Sequence, residues 1–454
     1  MRLFDWRWLV VSSLLAGVLA NAETRPQYGG TAHVAMRAAP ASLDPADNSQ
    51  PDSFARRSVM RMIFDTLVTT DESGRLQASL AASWQLLPGN RWQFRLRHGV
   101  KFHDGTPLNA ENVAASLRTA NSTWSVRTDG DSVVIETANA ALLAELALAR
   151  NAIAKRDAGS SPSGTGPFHI VDWQPGKRLL LAAEENCWRG RPFLDGVEIE
   201  MGKSYRDQMI ALELGKADLV EVAAEQSRRL AEEGRTVASS APMELLALLF
   251  MRDPASTDEK LLREALALSV ERGSIRSVLL QGAGQPAASI LPNWISGYGF
   301  VFPTDADLPR ARHAREQVRS IPTWTVGYDS SDPVERLLTE RIALNARDAG
   351  LSLQPTTATT ADLRLVRIPL ASTDPWIALA NIRAIVGMSA PKSGTAVDDL
   401  YAAEQAALAT QRLIPLFHLS AACTAGASLK NWTLRPDGSW SLADAWISIA
   451  SAKP

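Results

Sequence analysis

The chain has no G-x-S-x-G nucleophile elbow, and its six histidines stand scattered at positions 33, 98, 103, 169, 313 and 418. No Ser–His or Cys–His constellation for nucleophilic catalysis emerges from that scatter. No two histidines are three or four apart, the spacing that sets two imidazoles on one helix face for a metal. His98 and His103 are five apart across a strand end and a turn, and read as surface or turn residues. The expectation is a protein that is not an enzyme and carries no cofactor and no metal. Cysteine is scarce: Cys187 and Cys423 are too far apart in sequence to define a disulfide framework, so geometry decides whether they pair. Runs of Lys and Arg are missing and the formal net charge is −2, which describes an ordinary surface and no nucleic-acid partner. The apolar run Leu9 to Ala20 falls well short of the ~20 residues needed to cross a bilayer. With Arg2 and Arg7 before it and Ala20-Asn21-Ala22 after it, residues 1–22 read as a removable export signal. No Cys follows at once to take a lipid, so a periplasmic, unanchored protein is expected.

The chain has 454 residues, more than one hydrophobic core of roughly 250–300 residues absorbs, so two lobes are expected. The clearest local pattern runs from Arg91 to Leu117. Trp92, Phe94 and Leu96 alternate with Arg91, Gln93, Arg95 and Arg97, the period of a strand with one wet face. His103-Asp104-Gly105-Thr106-Pro107 then forces a turn. A helix follows, with Asn109 as N-cap, Glu111 at the positive end of the dipole, and Val113 with Leu117 as an apolar i,i+4 pair.

The stretch Leu96-Arg97-His98-Gly99-Val100-Lys101-Phe102-His103-Asp104-Gly105-Thr106-Pro107 resembles the signature of the extracytoplasmic solute-binding proteins of family 5, the dipeptide, oligopeptide and nickel binding proteins of ABC importers. Other segments agree with it in order. They are Gly29-Gly30-Thr31, Ser42-Leu43-Asp44-Pro45, Ile63-Phe64-Asp65-Thr66-Leu67, Leu80-Ala81-Ala82-Ser83-Trp84, Gly164-Thr165-Gly166-Pro167-Phe168, Leu194-Asp195-Gly196-Val197 and Ile414-Pro415-Leu416-Phe417-His418. The resemblance implies an α/β fold of the periplasmic binding protein type II kind, two lobes joined by a hinge with a ligand cleft between them. Lobe one is expected over 23–243, with a shortened subdomain near 118–163, lobe two over 244–412, and a return to lobe one over 413–454.

Residue patterns fill in the elements. Phe54 to Thr69 carries Val59, Ile63, Phe64 and Leu67 at helical spacing. Gly164-Thr165-Gly166 lacks the G-K-[ST] that a phosphate loop requires, and reads as a tight backbone corner. Ile210 to Val220 is a helix, a Gly stop and a strand, and Glu244 to Met251 is the apolar crossover into lobe two. Leu261 to Val270 is a helix, Thr323 to Tyr328 a strand, Val334 to Ala349 a helix stopped by Gly350, and Asp362 to Ile368 a strand.

Binding needs a hinge and a cleft with aromatic walls and a few placed polar groups. The thirteen Trp supply aromatic surface, most of it for the core. Trp376 is the leading cleft candidate because it follows Asp374-Pro375 after a strand, at the edge where α/β sheets bind ligands; packing against lobe two is the equal alternative. The resemblance adds Asp44, in a loop near the cleft of relatives, and Met251, where relatives carry Asn. It also marks Ala371: peptide-binding relatives place there, three residues before Asp374, an acid that grips the peptide α-amine. Without it an unmodified peptide loses its main ionic anchor, unless Asp374 substitutes. The expected function is the substrate-binding protein of an ABC importer, a monomer that closes on a small-molecule or peptide ligand and meets a permease in the inner membrane. A sensor or scaffold on the same fold, or a binder of metal chelates or oligosaccharides, is the alternative.

Overall fold

The computed structural model describes residues 25–49, 52–71, 73–157, 161–391, 394 and 396–448, so the segment read as an export signal lies outside the described residues. The chain enters with β1 (Thr31–Ala35) and α1 (Phe54–Ile63). The expected helix over Phe54 to Thr69 stops early. Phe64 is extended (φ −127°, ψ 144°), and the turn that would continue the helix is replaced by a corner over Gly164 to Gly166. The Gly166 N–H donates to the Ile63 carbonyl at 2.9 Å. A Cβ on Gly164 would lie 1.9 Å from that same oxygen, and one on Gly166 2.5 Å from the Met62 oxygen, so glycine is required by close approach.

The segment around Arg91 to Leu117 folds as a unit. β2 (Ala81–Leu87), β3 (Arg91–Leu96), α2 (Ala110–Ala120), β4 (Ser125–Asp129) and β5 (Ser132–Glu136) make a four-stranded sheet in the order β2-β3-β5-β4 with α2 laid on it. Phe94, Val113 and Leu117 are fully buried in its core. Asn109 caps α2 by accepting from the Asn112 N–H at 2.9 Å.

Beyond the glycine corner come β6 (Phe168–Gln174), β7 (Arg178–Ala183), β8 (Gly196–Glu200), α3 (Tyr205–Glu213) and β9 (Leu219–Glu221). The long β10 (Val237–Phe250) leads to α4 (Thr257–Ser269), β11 (Thr323–Gly327), α5 (Pro333–Asp348), β12 (Ser352–Thr356), β13 (Leu363–Pro369) and α6 (Pro375–Ile385), and β14 (Leu413–Ala425) returns. These strands form one mixed sheet in the order β12-β11-β13-β10-β14-β9-β1-β8-β7-β6.

β10 and β14 are antiparallel partners that belong to both lobes. At one end Val237 faces Thr424, beside β9; at the other Leu249 faces Leu413, with β13 on the far side. The register shifts on both sides of Pro242, which has no N–H to give the ladder. Past that point β10 is buried on both faces: Leu246, Leu248 and Phe250 enter one core, Met243, Leu245 and Ala247 another. This explains the continuous apolar run in the sequence. Cys187 and Cys423 are both free thiols.

Candidate functional site

A crevice lies between the lobes as three adjoining chambers. The central one, about 470 Å³, is walled by α1 and the loop before it, by Leu148 to Arg150, and from lobe two by Arg367 to Pro369, Ala371 and α6. Through Arg61, Leu148, Ala371 and Asp437 it adjoins a chamber of about 320 Å³ that reaches Thr70 and Asp374. Through Asp52, Arg56, Arg367 and Pro369 it adjoins one of about 370 Å³ bounded by Arg37, Tyr205, Glu221 and Glu244.

Local structure sets α1 as the crevice wall. Ser53 caps the helix by accepting from the Arg56 N–H at 3.1 Å, and Arg56, Arg57, Met60 and Arg61 then face the central chamber. Arg57 is buried. It pairs with Asp52, donates to the Asp437 carbonyl at 3.0 Å, and crosses to lobe two by donating to the Leu370 carbonyl at 2.8 Å. Arg61 pairs with the Asp437 carboxylate at 2.9 Å. Burial disfavours the Asp437 anion, but Arg61 and Arg57 outweigh it and hold that carboxyl well below its usual range. Arg150 takes Glu145 at 2.9 Å and reaches lobe two through Asn381 at 3.2 Å.

At the Tyr205 end Arg37 ties lobe one to lobe two through ion pairs, and Arg367 gathers acids within lobe two. Arg37 contacts Asp329 at 2.7 Å and Asp332 at 3.5 Å, and its N–H donates to Glu221 at 2.6 Å. Arg367 contacts Glu244 at 3.2 Å, Glu335 at 3.3 Å and Asp332 at 3.5 Å. Burial pushes the Tyr205 hydroxyl up to about 12 and lifts the Glu221, Glu225 and Glu335 carboxyls above their usual range. One oxygen of Glu225 is buried with no hydrogen-bond partner among the described residues.

The five residues singled out from sequence land in different surroundings. Ala371 is buried against Leu148 and Ile377, and lines two of the chambers. Asp374 lines the chamber of about 320 Å³, but its Oδ1 caps α6, accepting from the Trp376 and Ile377 N–H groups at 3.0 and 3.1 Å. Trp376 is half-buried against the helical core of lobe two and lines none of the three chambers. Met251 is 51% exposed just past the end of β10, where its N–H donates to the Asp362 carbonyl. Asp44 faces Arg156, whose Nε and Nη2 donate to it at 2.8 and 2.6 Å; these bonds outweigh burial and hold the carboxyl below its usual range.

The expected aromatic walls are not what the central chamber has: guanidinium groups take their place. Helical spacing marks the apolar residues of α1 and does not single out Arg56, Arg57 and Arg61. The available signal was a first helical turn with two arginines and no acid.

Residues 75–367 match the profile described as bacterial extracellular solute-binding proteins, family 5 Middle. Among curated proteins, the nickel-binding protein NikA of Staphylococcus aureus is 26% identical over 242 residues, covering 50% of this chain and 49% of its own length. The oligopeptide-binding protein AppA of Bacillus subtilis is 24% identical over 332 residues, covering 65% of this chain and 59% of its own length. The matched stretch thus spans about half to three-fifths of these relatives. A dipeptide-binding protein from Pseudoalteromonas sp. SM9913, solved with Met-Leu, superposes with a TM-score of 0.80 at 17% identity, covering 92% of this chain and all of that one. The two-lobed fold is therefore shared, and among the described residues no helix is long and apolar enough to cross a membrane. By the extent of its family match, the chain belongs to the bacterial extracellular solute-binding proteins of family 5.

Proposed function

We propose that this chain is the solute-receiving component of an ABC importer, that its solute is a peptide or peptide-sized molecule held in the crevice, and that the loaded form docks on an inner-membrane permease. The reading places lobe one over 23–243 and 413–454 and lobe two over 244–412, with removal of 1–22 in the periplasm. The observation that carries it is the central chamber. Its volume of about 470 Å³ lies in the range of small-molecule sites, and both lobes supply its walls, so a bound solute ties one to the other. The relatives named above bind nickel, oligopeptides or Met-Leu, which supports a solute of that scale.

The test is a thermal-shift screen with di- and tripeptides, nickel–histidine and oligosaccharides. A solute at a hundred times its Kd stabilises by about 2.7 kcal/mol and raises the melting temperature accordingly. Ala371→Trp fills the chamber from the lobe-two side and is expected to abolish the shift while the far-UV circular dichroism is unchanged. A shift that survives Ala371→Trp would put the binding site elsewhere.

A further inference from the structure

The central chamber is lined by five guanidinium groups, Arg56, Arg57, Arg61, Arg150 and Arg367. Four of them have a carboxylate partner: Arg57 has Asp52, Arg61 has Asp437, Arg150 has Glu145, and Arg367 has Glu244 with Glu335 and Asp332. Arg56 has none. It is only 7% exposed, its Nη2 donates to the Asp44 and Asp47 carbonyls at 3.1 and 3.2 Å, and its buried Nε has no acceptor among the described residues. The acids nearest in sequence are committed: Asp44 to Arg156, Asp47 to Ser49 at 2.6 and 3.0 Å, and Asp52 to Arg57.

A second observation points the same way. Arg56 and Arg57 occupy the first turn of the ten-residue α1, where the helix dipole is already positive and where no acidic side chain stands. A buried cation at the positive end of a helix is costly unless an anion meets it. Burial accordingly pushes the Arg56 guanidinium below its usual range despite the neighbouring acids. The rest of the chamber offers the body of a ligand apolar surface from Met60, Leu148, Ile368 and Ile385.

We propose that Arg56 is the anion anchor of the crevice and that the solute is a monocarboxylate with an aliphatic body, gripped by its acid end and not by an amine. A single uncommitted guanidinium matches one carboxylate better than the double charge of a phosphate monoester. Ala371, where an amine-binding acid is missing, agrees with this polarity. The inference rests on the reading that the solute occupies the crevice.

Calorimetric titration of the full chain with alanyl-leucine, its N-acetyl form, its C-terminal amide and the matched pair hexanoate and hexanamide tests it. The N-acetylated acid should bind at least as well as the free dipeptide, and each amide should bind about tenfold to a hundredfold more weakly than its acid, the scale of one charge-assisted hydrogen bond. Arg56→Gln should erase the acid-over-amide preference, Arg56→Lys should keep it, and Arg228→Gln, at an exposed helix position, should leave it untouched. Equal binding of acid and amide, loss of binding on N-acetylation, a preference that survives Arg56→Gln, or no binding by any of the probes overturns the inference. If acid and amide bind equally and Ala371→Trp abolishes both, the anchor is wrong while the crevice reading stands; if binding survives Ala371→Trp, both fall.

Discussion

The two neighbouring chambers that share Arg56 and Arg367 treat charge in opposite ways. At the Tyr205 end, Arg37 and Arg367 meet Glu221, Glu244, Asp329, Asp332 and Glu335, and the pairs of Arg37 with Asp329 and Asp332 join lobe one to lobe two. Acids there outnumber cations, and several carboxyls resist ionisation because they are buried. In the central chamber cations outnumber acids, and one of them, Arg56, has no carboxylate in ion-pair contact among the described residues and a buried Nε without an acceptor. Ion pairs satisfied across the lobes hold protein to protein, whereas an unsatisfied cation on a cavity wall can only be satisfied from outside. The first region is built to be closed, the second to be filled.

Arg367→Met strips Glu244, Asp332 and Glu335 of their common partner, and buried acids left without one typically cost about 3–5 kcal/mol. Urea denaturation should show a loss of that size, and an unchanged midpoint would mean the Tyr205 end holds nothing together.

Glu225→Gln is expected to stabilise by about 1 kcal/mol at neutral pH, since it removes a buried carboxylate oxygen that has no partner. The sign follows from its raised folded pKa. The native state keeps a proton that the unfolded chain has released, so the acid form is compatible with the fold near the ordinary carboxylate range. Stability is lost as pH rises through the lifted value. The Glu225→Gln gain should therefore vanish as pH is lowered toward that range. His418 works in the opposite sense: burial pushes it down to about 4, so its contribution is lost as pH falls from its ordinary value near 6.5 toward 4. A scan of denaturation midpoints from pH 4 to 8 for the wild type, Glu225→Gln and His418→Gln separates the two.

Arg56→Met should change stability by less than about 1 kcal/mol, because no carboxylate is orphaned when it goes. A loss as large as that of Arg367→Met would erase the distinction between the chambers. Smallest of all, Asp374→Asn should leave stability within a few tenths of a kcal/mol, since Asn caps a helix as well as Asp does, while Asp374→Ala should cost about 1 kcal/mol.

What could be read from the sequence was what is decided locally. The alternation of Trp92, Phe94 and Leu96, the cap at Asn109 and the pair Val113 and Leu117 need only their neighbours, and β3 and α2 appear where they were expected. The glycine corner was also legible as a corner, although the reason for its glycines, the carbonyls of Met62 and Ile63 at the end of α1, lies far away along the chain. That same contact cuts α1 short of Thr69, which no local pattern announces. The crevice wall was the least legible part. Arg61 meets Asp437 at a separation of 376 residues and Arg57 meets the Leu370 carbonyl at 313, so helical periodicity alone would set these arginines on a wet face. Asp374 was considered as a substitute for the acid missing at Ala371, but its carboxylate serves the helix that begins beside it.

The strand pair β10 and β14 has a further consequence for the order in which the molecule can be assembled. The segment between those strands folds on near neighbours, so lobe two can take shape early. Lobe one must wait, because β9, paired on one side with β1, finds its second sheet partner only at Cys423 to Ala425, and Ser58 accepts the Trp440 N–H at 2.8 Å across 382 residues. The half of the molecule that begins first is thus completed last, and a chain cut short before Trp440 would hold a finished second lobe attached to a first that cannot close.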